Sequence, residues 1–580
     1  MIFLPFVIAF LVYILTYLPG RVVMERFSFL DREEKFCLSF FITLVALYLL
    51  CFGSFIMLTD PILSYRIILL GICVSTIASY RIIKAFFSDR AERSLFLAGL
   101  FMLLWLVGFQ GLLRVYGGGG WQGDWVEHYE RGMFFLGGVS LNYKFIGRYA
   151  LPARPPLFNV ITAFFQAFLG RPFWIYQILC SFLNMTMVFP AFLLARRLFK
   201  NKQPLSLWAV IALFLLNPAM VRQMTYTMTK GLSAAFVLAG AYIYLKARGT
   251  PDFKHPVFAF LLLSAGILAH YSAAPFFLVM GFDFLVLSIP KPDRRKILSF
   301  VATAFLASAF LLSWVGYSLA LYGKDNTFLS NTTYTDSRSL TLAQRLKKDL
   351  FNLRTTFFPD KFSWETEGEQ DRSIKIFILY DTLIVFHSES LPGNLTLFFY
   401  FVLIVYSADV LLKKKDRGKK AKPPSDADPF HSRVFWILFF IGGGLIGLVT
   451  NATKMNYGVA HVSFVPVSAL LLSMAYVLAV RIRQAWLKLL ILLGAIIEGA
   501  YVLGVMIAAL SDIFVSLYSV WKSLNLYVSY GAIKRYNLEL LQTLYSSCSI
   551  LLLFAVGIGW MIWAGIFMKH AFRPPASSDH

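Results

Sequence analysis

Apolar stretches of about twenty residues recur along the whole chain, and short polar segments separate them. A stretch of this length crosses the hydrocarbon core of a bilayer as a single α-helix. The weak alternating pattern of a transmembrane β-barrel does not occur. We therefore predict an all-α polytopic membrane protein with roughly 13–15 transmembrane helices. The predicted spans lie near residues 1–19, 36–58, 63–83, 95–115, 173–195, 205–220, 231–245, 257–270, 274–290, 298–321, 391–412, 433–450, 461–480, 489–510 and 547–567.

Two further segments do not fit a simple crossing. The short apolar stretch 156–170 is predicted to be a lateral helix or half of a hairpin. Segment 511–546 mixes aromatic and charged residues, which favours a position along the membrane interface. The apolar N-terminus lacks a basic region and a small-residue cleavage site, so we predict a retained first helix.

The charge of the chain is concentrated in the segments between the spans. Its formal net charge is +23, but the basic residues form short clusters and not one patch, which argues against nucleic-acid binding. If each span crosses once, every cluster falls on the same side, which the positive-inside rule makes cytoplasmic. We therefore predict an outer N-terminus, a cytoplasmic C-terminus and an outer loop 116–172. The clusters lie in segments 20–35, 84–94, 196–202, 246–254, 291–296, 413–422, 481–488 and 569–573.

The outer loop 116–172 contains an unusual group of ionisable residues. Asp124, Glu127 and His128 share one face if the segment is helical, and Tyr129 and Arg131 follow directly. A carboxylate held at the membrane surface can act as a general base or bind a metal. The alternative is that Asp124 and Glu127 form a capping box at a helix N-terminus, which does not exclude catalysis.

Several basic residues are predicted on the outer side, where the positive-inside rule disfavours them. This placement favours an anion site, specifically one for phosphate. Arg154 precedes two prolines, which favours a position near a helix N-terminus suited to anions. The alternatives are contacts with lipid headgroups or with acids of the loops. The candidates for phosphate binding are Arg154, Arg222, Lys230, Lys454 and His461, and the outer turn at His270 and Tyr271 is a supporting candidate.

The order of these motifs resembles the GT-C glycosyltransferase superfamily. Within it, the chain is most similar to the dolichyl-phosphate-mannose protein mannosyltransferase type, family 39, and bacterial relatives such as the aminoarabinose transferase of lipid A. The resemblance is carried by Asp124, Tyr129, Gly137-Gly138, Arg154-Pro155-Pro156-Leu157 and the stretch from Asn217-Pro218 to Lys230-Gly231. It covers about residues 95–290. The family often has Asp-Glu where this chain has Asp124-Trp125, so the second acid is either Glu127 or absent.

The resemblance implies a GT-C-like bundle with outer-face loops and lateral helices. Residues 95–321 would form its catalytic transmembrane core, and residues 1–94 would be extra N-terminal helices that the family pattern lacks. Segment 322–390 would be a long outer loop. Residues 391–580 would be C-terminal transmembrane helices with a basic cytoplasmic linker, 413–433.

The activity implied by the resemblance is transfer of a sugar from a polyprenyl-phosphate donor to a lipid, protein or glycan acceptor on the outer face, with inversion. Asp124 would be the general base and Glu127 the second catalytic acid, with His128, Tyr129, Arg131, His270 and Tyr271 near the acceptor or supporting the site. No cofactor is expected, although a divalent metal on Glu127 and His128 is left open. The protein would lie in the plasma (inner) membrane, with membrane lipids and no nucleic acid as further partners.

Two other functions remain open from the sequence. An O-antigen-ligase-like or polymerase-like enzyme would place its chemistry in loop 322–390, at Arg338, Arg345, Arg372 or His387. A lipid-linked sugar flippase or transporter would need ionisable residues within the spans, for which Asp283, Asp409 and Glu498 are the candidates.

Overall fold

The computed structural model describes most of the chain as helices. It covers residues 2–57, 60–112, 124–198, 206–248, 254–288, 294–330, 341–347, 350, 432–449, 465–482, 484–510 and 539–571. Within these ranges the only β-type pairing is an isolated antiparallel bridge between Phe145 and Tyr149. The all-α prediction is confirmed over this part of the chain.

The helices follow the apolar segments of the sequence. The first half contains α1 (Leu4–Met24), α2 (Arg32–Met57), α3 (Pro61–Ala78), α4 (Tyr80–Ser88), α5 (Arg90–Gln110), α6 (Asp124–Phe135), α7 (Leu157–Leu169), α8 (Phe173–Met185), α9 (Val188–Leu198), α10 (Leu207–Leu216) and α11 (Pro218–Thr225). There follow α12 (Lys230–Ala247), α13 (Lys254–Ala269), α14 (Ala274–Ser288), α15 (Arg294–Leu329), α16 (Arg433–Val449), α17 (Val465–Arg481), α18 (Ala485–Leu510), α19 (Leu541–Tyr545) and α20 (Ser549–Ala571). Short 3₁₀ turns lie at Leu151–Ala153, Tyr271–Ala273 and Ser546–Cys548.

The apolar helices make the chain a multi-pass membrane protein. In the described residues, seven helices are long and apolar enough to cross a membrane: Leu4–Met24, Arg32–Met57, Pro61–Ala78, Arg90–Gln110, Phe173–Leu198, Ile297–Leu329 and Leu541–His570. Seven shorter apolar helices of 10–17 residues accompany them. Helices α8 and α9 together form one of the long spans, and its residues 173–195 are all buried, so it lies at the centre of the bundle.

The structure adds detail to three predicted segments. The span at 63–83 is two helices, because α3 ends at Ala78 and the short helix α4 begins at Tyr80, with Ser79 between them. The polar loop predicted to begin at residue 322 begins later, since α15 continues to Leu329 after an irregular backbone position at Gly323. Segment 156–170 contains α7, which is buried over nearly its whole length among α2, α6 and α8.

Ion pairs join the basic segments at one end of the bundle, which we call the basic end. Lys246 Nζ lies 2.6 Å from the buried Glu34 carboxylate, and Arg248 Nε lies 2.9 Å from Asp283. Arg21 likewise pairs with the buried Glu92. Further pairs join Lys35 to Glu25, Arg32 to Asp89, and Arg196 to Asp31 and Glu33. The helices therefore bring together the segments that the charge pattern placed on one side.

The opposite end of the bundle, which we call the site end, carries the predicted chemistry. Helices α2 and α5 run from the basic end and finish there, while α12 begins there at Lys230. The site end also contains α6, the 3₁₀ turn Leu151–Ala153 and the 3₁₀ turn Tyr271–Ala273. The long helices thus separate an end where ion pairs join the helices from an end where α6 and two 3₁₀ turns meet.

Candidate functional site

Helix α6 carries the acidic motif of the first large loop. It begins at Asp124 and ends at Phe135, and it packs on α7. Gly132 permits this approach, because a Cβ atom there would lie 3.3 Å from the side chains of Thr162 and Gln166. The backbone of Asp124 is thus placed at the start of α6, while its side chain lies outside the described residues.

Glu127 is the centre of an ion network at the site end. Its Oε1 atom accepts from Arg131 Nε at 2.9 Å and from Nη2 at 2.7 Å, and its Oε2 lies 3.3 Å from Arg154 Nη2. The exposed fractions of the Glu127 and Arg131 side chains are 1% and 0%. Burying such charges is tolerated because they pair at close range. One carboxylate therefore holds two arginines from separate segments.

Arg131 uses its remaining donors to shape the loop before α7. Its Nη1 donates to the carbonyl of Leu151 at 2.6 Å, and its Nη2 donates to that of Ala150 at 3.1 Å. The guanidinium also lies 4.3 Å from the ring centroid of Phe145, a cation–π arrangement. These contacts fix the 3₁₀ turn from which Arg154 emerges.

The charges around Glu127 keep its carboxylate ionised. Burial disfavours the charged form, but the positive charges of Arg154 and Arg131 outweigh burial and lower its pKa below the usual value. A carboxylate of lowered pKa whose oxygens both face arginines is a poor proton acceptor. The geometry thus favours a positioning role for Glu127, which the sequence had offered as a second catalytic acid.

His128 is buried beside Glu127 and is held by α7. Its Nδ1 lies 3.1 Å from Asn159 Oδ1, and Asn159 donates through Nδ2 to the carbonyl of Pro155 at 3.2 Å. Burial lowers the pKa of His128 to about 3, with help from the positive charges of Arg131 and Arg154. The imidazole is therefore neutral at neutral pH.

His270 caps the 3₁₀ turn that follows α13. Its Nδ1 accepts from the backbone N–H of Ser272 at 3.2 Å and lies 2.8 Å from the Ser272 hydroxyl. Burial lowers the pKa of His270 well below its usual value, and the positive charges of Lys230 and Arg154 lower it further. This ring is also neutral.

Lys230 is the first residue of α12 and is presented by a turn held on Asn184. Asn184 is fully buried, and its Nδ2 donates to the carbonyls of Tyr226 at 3.2 Å and Met228 at 2.8 Å. Its Oδ1 accepts from the backbone N–H of Leu232 at 3.0 Å. One amide side chain therefore fixes both sides of Lys230.

The neighbouring predicted cation, Arg222, lies on α11. Its guanidinium lies 5.4 Å from the ring centroid of Tyr226, at the start of the same turn. Helix α11 is tied to α5, because Gln110 Nε2 donates to the Thr225 carbonyl at 2.7 Å. Arg222 thus belongs to the segment that carries Lys230.

Two contacts connect these separate pieces into one site. Tyr271 donates its hydroxyl to the carbonyl of Pro152 at 3.0 Å, two residues before Arg154. The Ser233 hydroxyl, one turn after Lys230 in α12, lies 3.4 Å from the carbonyl of His270. The structure thus joins the α6 network, Arg154, the His270 turn and the start of α12.

Tyr129 and Glu130 support the loops around this site. The Tyr129 hydroxyl donates to the carbonyl of Arg171 at 2.7 Å. Glu130 accepts from the backbone N–H of Ile146 at 2.7 Å. Ile146 has a φ of +48°, which is unfavourable for a β-branched residue, so this hydrogen bond helps to stabilise the turn.

Some predicted residues lie outside this description. Lys454, His461 and most of the predicted loop 322–390 fall outside the described residues, so their roles stay predictions. Across the residues that are described, no group of three or more His, Cys, Asp or Glu side chains could hold a metal ion.

Sequence reasoning missed the amide residues that organise the site. Asn159 and Asn184 lie within apolar segments and are almost completely buried. A buried amide needs hydrogen-bond partners, so a lone Asn in a predicted span is a signal that could have indicated them. Their particular partners could not have been predicted, because Asn184 contacts residues more than forty positions away.

Comparisons with known proteins find solved structures to which this chain is similar. No family model matches it, and no curated protein does. The crystal structure of ArnT from Cupriavidus metallidurans in the apo state matches 81% of this chain and 76% of its own, at 13% identity and a TM-score of 0.44. The archaeal oligosaccharyltransferase AglB from Archaeoglobus fulgidus, solved with an inhibitory peptide and a dolichol-phosphate, matches 69% and 55% respectively, at 13% identity and a TM-score of 0.33.

With 13% identity and TM-scores below 0.5, neither structure determines what this chain binds or transfers.

Proposed function

We propose that this chain is an integral membrane glycosyltransferase that moves a sugar from a polyprenyl-phosphate donor to an acceptor on the outer face. The observation that carries the proposal is the joining of Arg154, Lys230 and the α6 ion network at the site end of the bundle. Cationic side chains at the end of a membrane bundle suit a lipid phosphate. The sequence resemblance at Asp124 and at Arg154-Pro155-Pro156-Leu157 supports the same class.

In this proposal Asp124 is the general base. It takes the proton of the acceptor hydroxyl while the hydroxyl oxygen attacks the anomeric carbon of the sugar. The bond from that carbon to the phosphate oxygen breaks in the same displacement, so the configuration inverts. Arg154 and Lys230 stabilise the charge that develops on the leaving phosphate, and Glu127 holds Arg154 in place. Arg222, Lys454 and His461 remain further candidates for the phosphate.

The orientation in the membrane follows from the charge pattern. The basic end would face the cytoplasm and the site end the outer side of the plasma membrane, with the N-terminus outside. This orientation would put the donor phosphate within reach of extracytoplasmic acceptors.

A transporter is the second candidate and has less support. Of its three candidate acids, Asp283 accepts from Tyr244 at 2.6 Å and pairs with Arg248 at 2.9 Å, which favours a structural role at the basic end. Asp409 lies outside the described residues, as does the side chain of Glu498. A ligase-like enzyme would depend on loop 322–390, most of which is also outside them.

The test is a transfer assay with purified protein in nanodiscs, undecaprenyl-phosphate sugars as donors and membrane extract as the acceptor. We expect wild-type protein to transfer labelled sugar and Asp124→Asn to lose transfer by about a thousandfold. Asn has nearly the size and shape of Asp, so this change removes the carboxylate base and keeps the volume of the side chain. Asp60→Asn is the matched control, because Asp60 caps α3 by accepting from Leu63 N–H and should keep full activity.

Each outcome has a defined reading. Sugar transfer by Asp124→Asn at the wild-type rate would show that Asp124 is not the general base. Absence of transfer from every donor, combined with movement of labelled lipid between leaflets, would replace the enzyme with a transporter.

A further inference from the structure

The two histidines of the site are held in opposite neutral forms. At His128 the hydrogen bonding of Asn159 decides the form. Asn159 uses its Nδ2 group to donate to the Pro155 carbonyl, so its Oδ1 faces His128 Nδ1 as an acceptor at 3.1 Å. His128 Nδ1 therefore carries the proton, and Nε2 is left with a lone pair.

His270 has the reverse arrangement. A backbone N–H can only donate, so the 3.2 Å bond from Ser272 N–H to His270 Nδ1 makes that nitrogen an acceptor. The Ser272 hydroxyl, 2.8 Å away, donates to the same nitrogen. The proton of the neutral ring is therefore on Nε2, which is a donor.

Within the described residues, neither Nε2 has a hydrogen-bond partner. Both nitrogens belong to rings fixed through Nδ1, so their orientation is set before any ligand binds. Such preorganisation increases the affinity gained from each new hydrogen bond.

Both rings are anchored to the segment that contains Arg154. His128 is linked through Asn159 to the carbonyl of Pro155. The residue after His270, Tyr271, donates to the carbonyl of Pro152 at 3.0 Å. The segment of four residues from Pro152 to Pro155 thus connects the two histidines and includes Arg154, the proposed phosphate ligand.

We propose that His128 and His270 form a hydroxyl-recognition pair for the sugar of the lipid-linked donor. A sugar hydroxyl both donates and accepts a hydrogen bond, and the pair offers one acceptor and one donor. This inference rests on the proposed function, and it divides the donor into two parts: Arg154 and Lys230 bind the phosphate, while the histidines select the sugar.

Substitution by Asn or Gln tests the two nitrogens of each histidine ring separately. His128→Asn can still donate to Asn159 but lacks a group at the Nε2 position. His270→Asn can still cap the turn at Ser272, since Asn is a favoured cap, but it loses the Nε2 donor. His128→Gln and His270→Gln instead place an amide near the Nε2 position, so they are the rescue variants.

The experiment measures binding to the full-length protein in nanodiscs with two kinds of probe. The first is undecaprenyl phosphate, and the second is undecaprenyl phosphate carrying glucose, mannose or arabinose. We expect each Asn variant to weaken at least one sugar-bearing probe by about tenfold, the effect of one lost hydrogen bond. Affinity for undecaprenyl phosphate should stay within about twofold. The Gln variants should recover part of the loss, and Lys230→Gln should weaken both kinds of probe.

The outcomes distinguish this inference from the proposed function. If wild-type protein binds neither probe, the proposed function fails and the inference fails with it. If it binds both equally well, or if the Asn variants weaken both alike, the hydroxyl-recognition pair is wrong while the phosphate site stands. Unchanged binding of sugar-bearing probes by both Asn variants would also overturn the pair.

Discussion

At the residue scale, the main result is the role of Glu127. Its position three residues after Asp124 made it a candidate second acid, yet it is buried and pairs with Arg131 and Arg154. The Arg131 contact has the i,i+4 spacing of helix ion pairs, so it could be predicted from the sequence. The Arg154 contact could not, because it joins residues 27 positions apart in sequence through the fold of the loop between them.

Glu127→Gln should destabilise the protein strongly. Removing the charge would leave Arg131 buried without its counter-ion, which costs about 3–5 kcal/mol. We expect a clear fall in the Tm of the detergent-solubilised protein. Asp325→Asn is the control, because Asp325 is exposed near the C-terminal end of α15 and its substitution should leave the Tm unchanged. An unchanged Tm for Glu127→Gln would show that the network contributes little to stability.

His128 should make stability depend on pH. Its pKa is about 3 in the folded protein and about 6.5 when unfolded, so the unfolded state binds the proton first. The free energy of unfolding should therefore decrease as the pH falls below about 6.5. Thermal melts of wild type and His128→Asn at pH 5 to 8 measure this. The variant should lose less stability on acidification, and parallel curves for the two proteins would contradict the prediction.

At the scale of elements, the start of α12 shows what sequence can and cannot predict. The span itself is evident from its apolar residues, and Lys230 is evident as a cation at its end. The turn that presents Lys230 depends on Asn184 in α8, a contact over more than forty residues. No local sequence pattern predicts this contact, because it forms only when α8 packs against α11 and α12.

Gly231→Ala should disturb this turn and weaken donor binding. An added Cβ atom would lie 2.7 Å from the Cβ atom of Asn184, so either the turn or α8 must shift. We expect affinity for undecaprenyl phosphate to fall about tenfold, as one cation moves. Gly316→Ala is the matched control, because nothing lies within 4 Å of a Cβ atom there. If the two variants bind undecaprenyl phosphate with equal affinity, Lys230 does not belong to the donor site.

At the scale of the whole molecule, the charge pattern predicted the architecture well. Segments around residues 21–35, 89–92, 196 and 246–248 are linked by ion pairs at one end of the bundle. The alternation of the spans and the positive-inside rule were enough to predict this grouping, because both depend only on the order of apolar and basic segments in the sequence. The helix break at Ser79 was missed, because apolar residues continue on both sides of it.

The orientation of the bundle can be measured by labelling intact cells with a membrane-impermeant maleimide. Lys144→Cys lies on an exposed position at the site end, and Arg90→Cys on one at the basic end. We expect Lys144→Cys to react in intact cells and Arg90→Cys only after permeabilisation. The protein without these substitutions gives the background labelling, and its described cysteines are buried or half-buried. The reverse pattern would place the site end in the cytoplasm.

The most direct test of the account is an experimental structure of the protein in nanodiscs with undecaprenyl phosphate. The account predicts that the phosphate lies within hydrogen-bond distance of Arg154 and Lys230 at the site end, with the prenyl chain among the apolar helices. A phosphate bound at the basic end, or on the outer surface of α16 beside Arg433, would contradict the account, because the α6 network would then have no part in binding the donor.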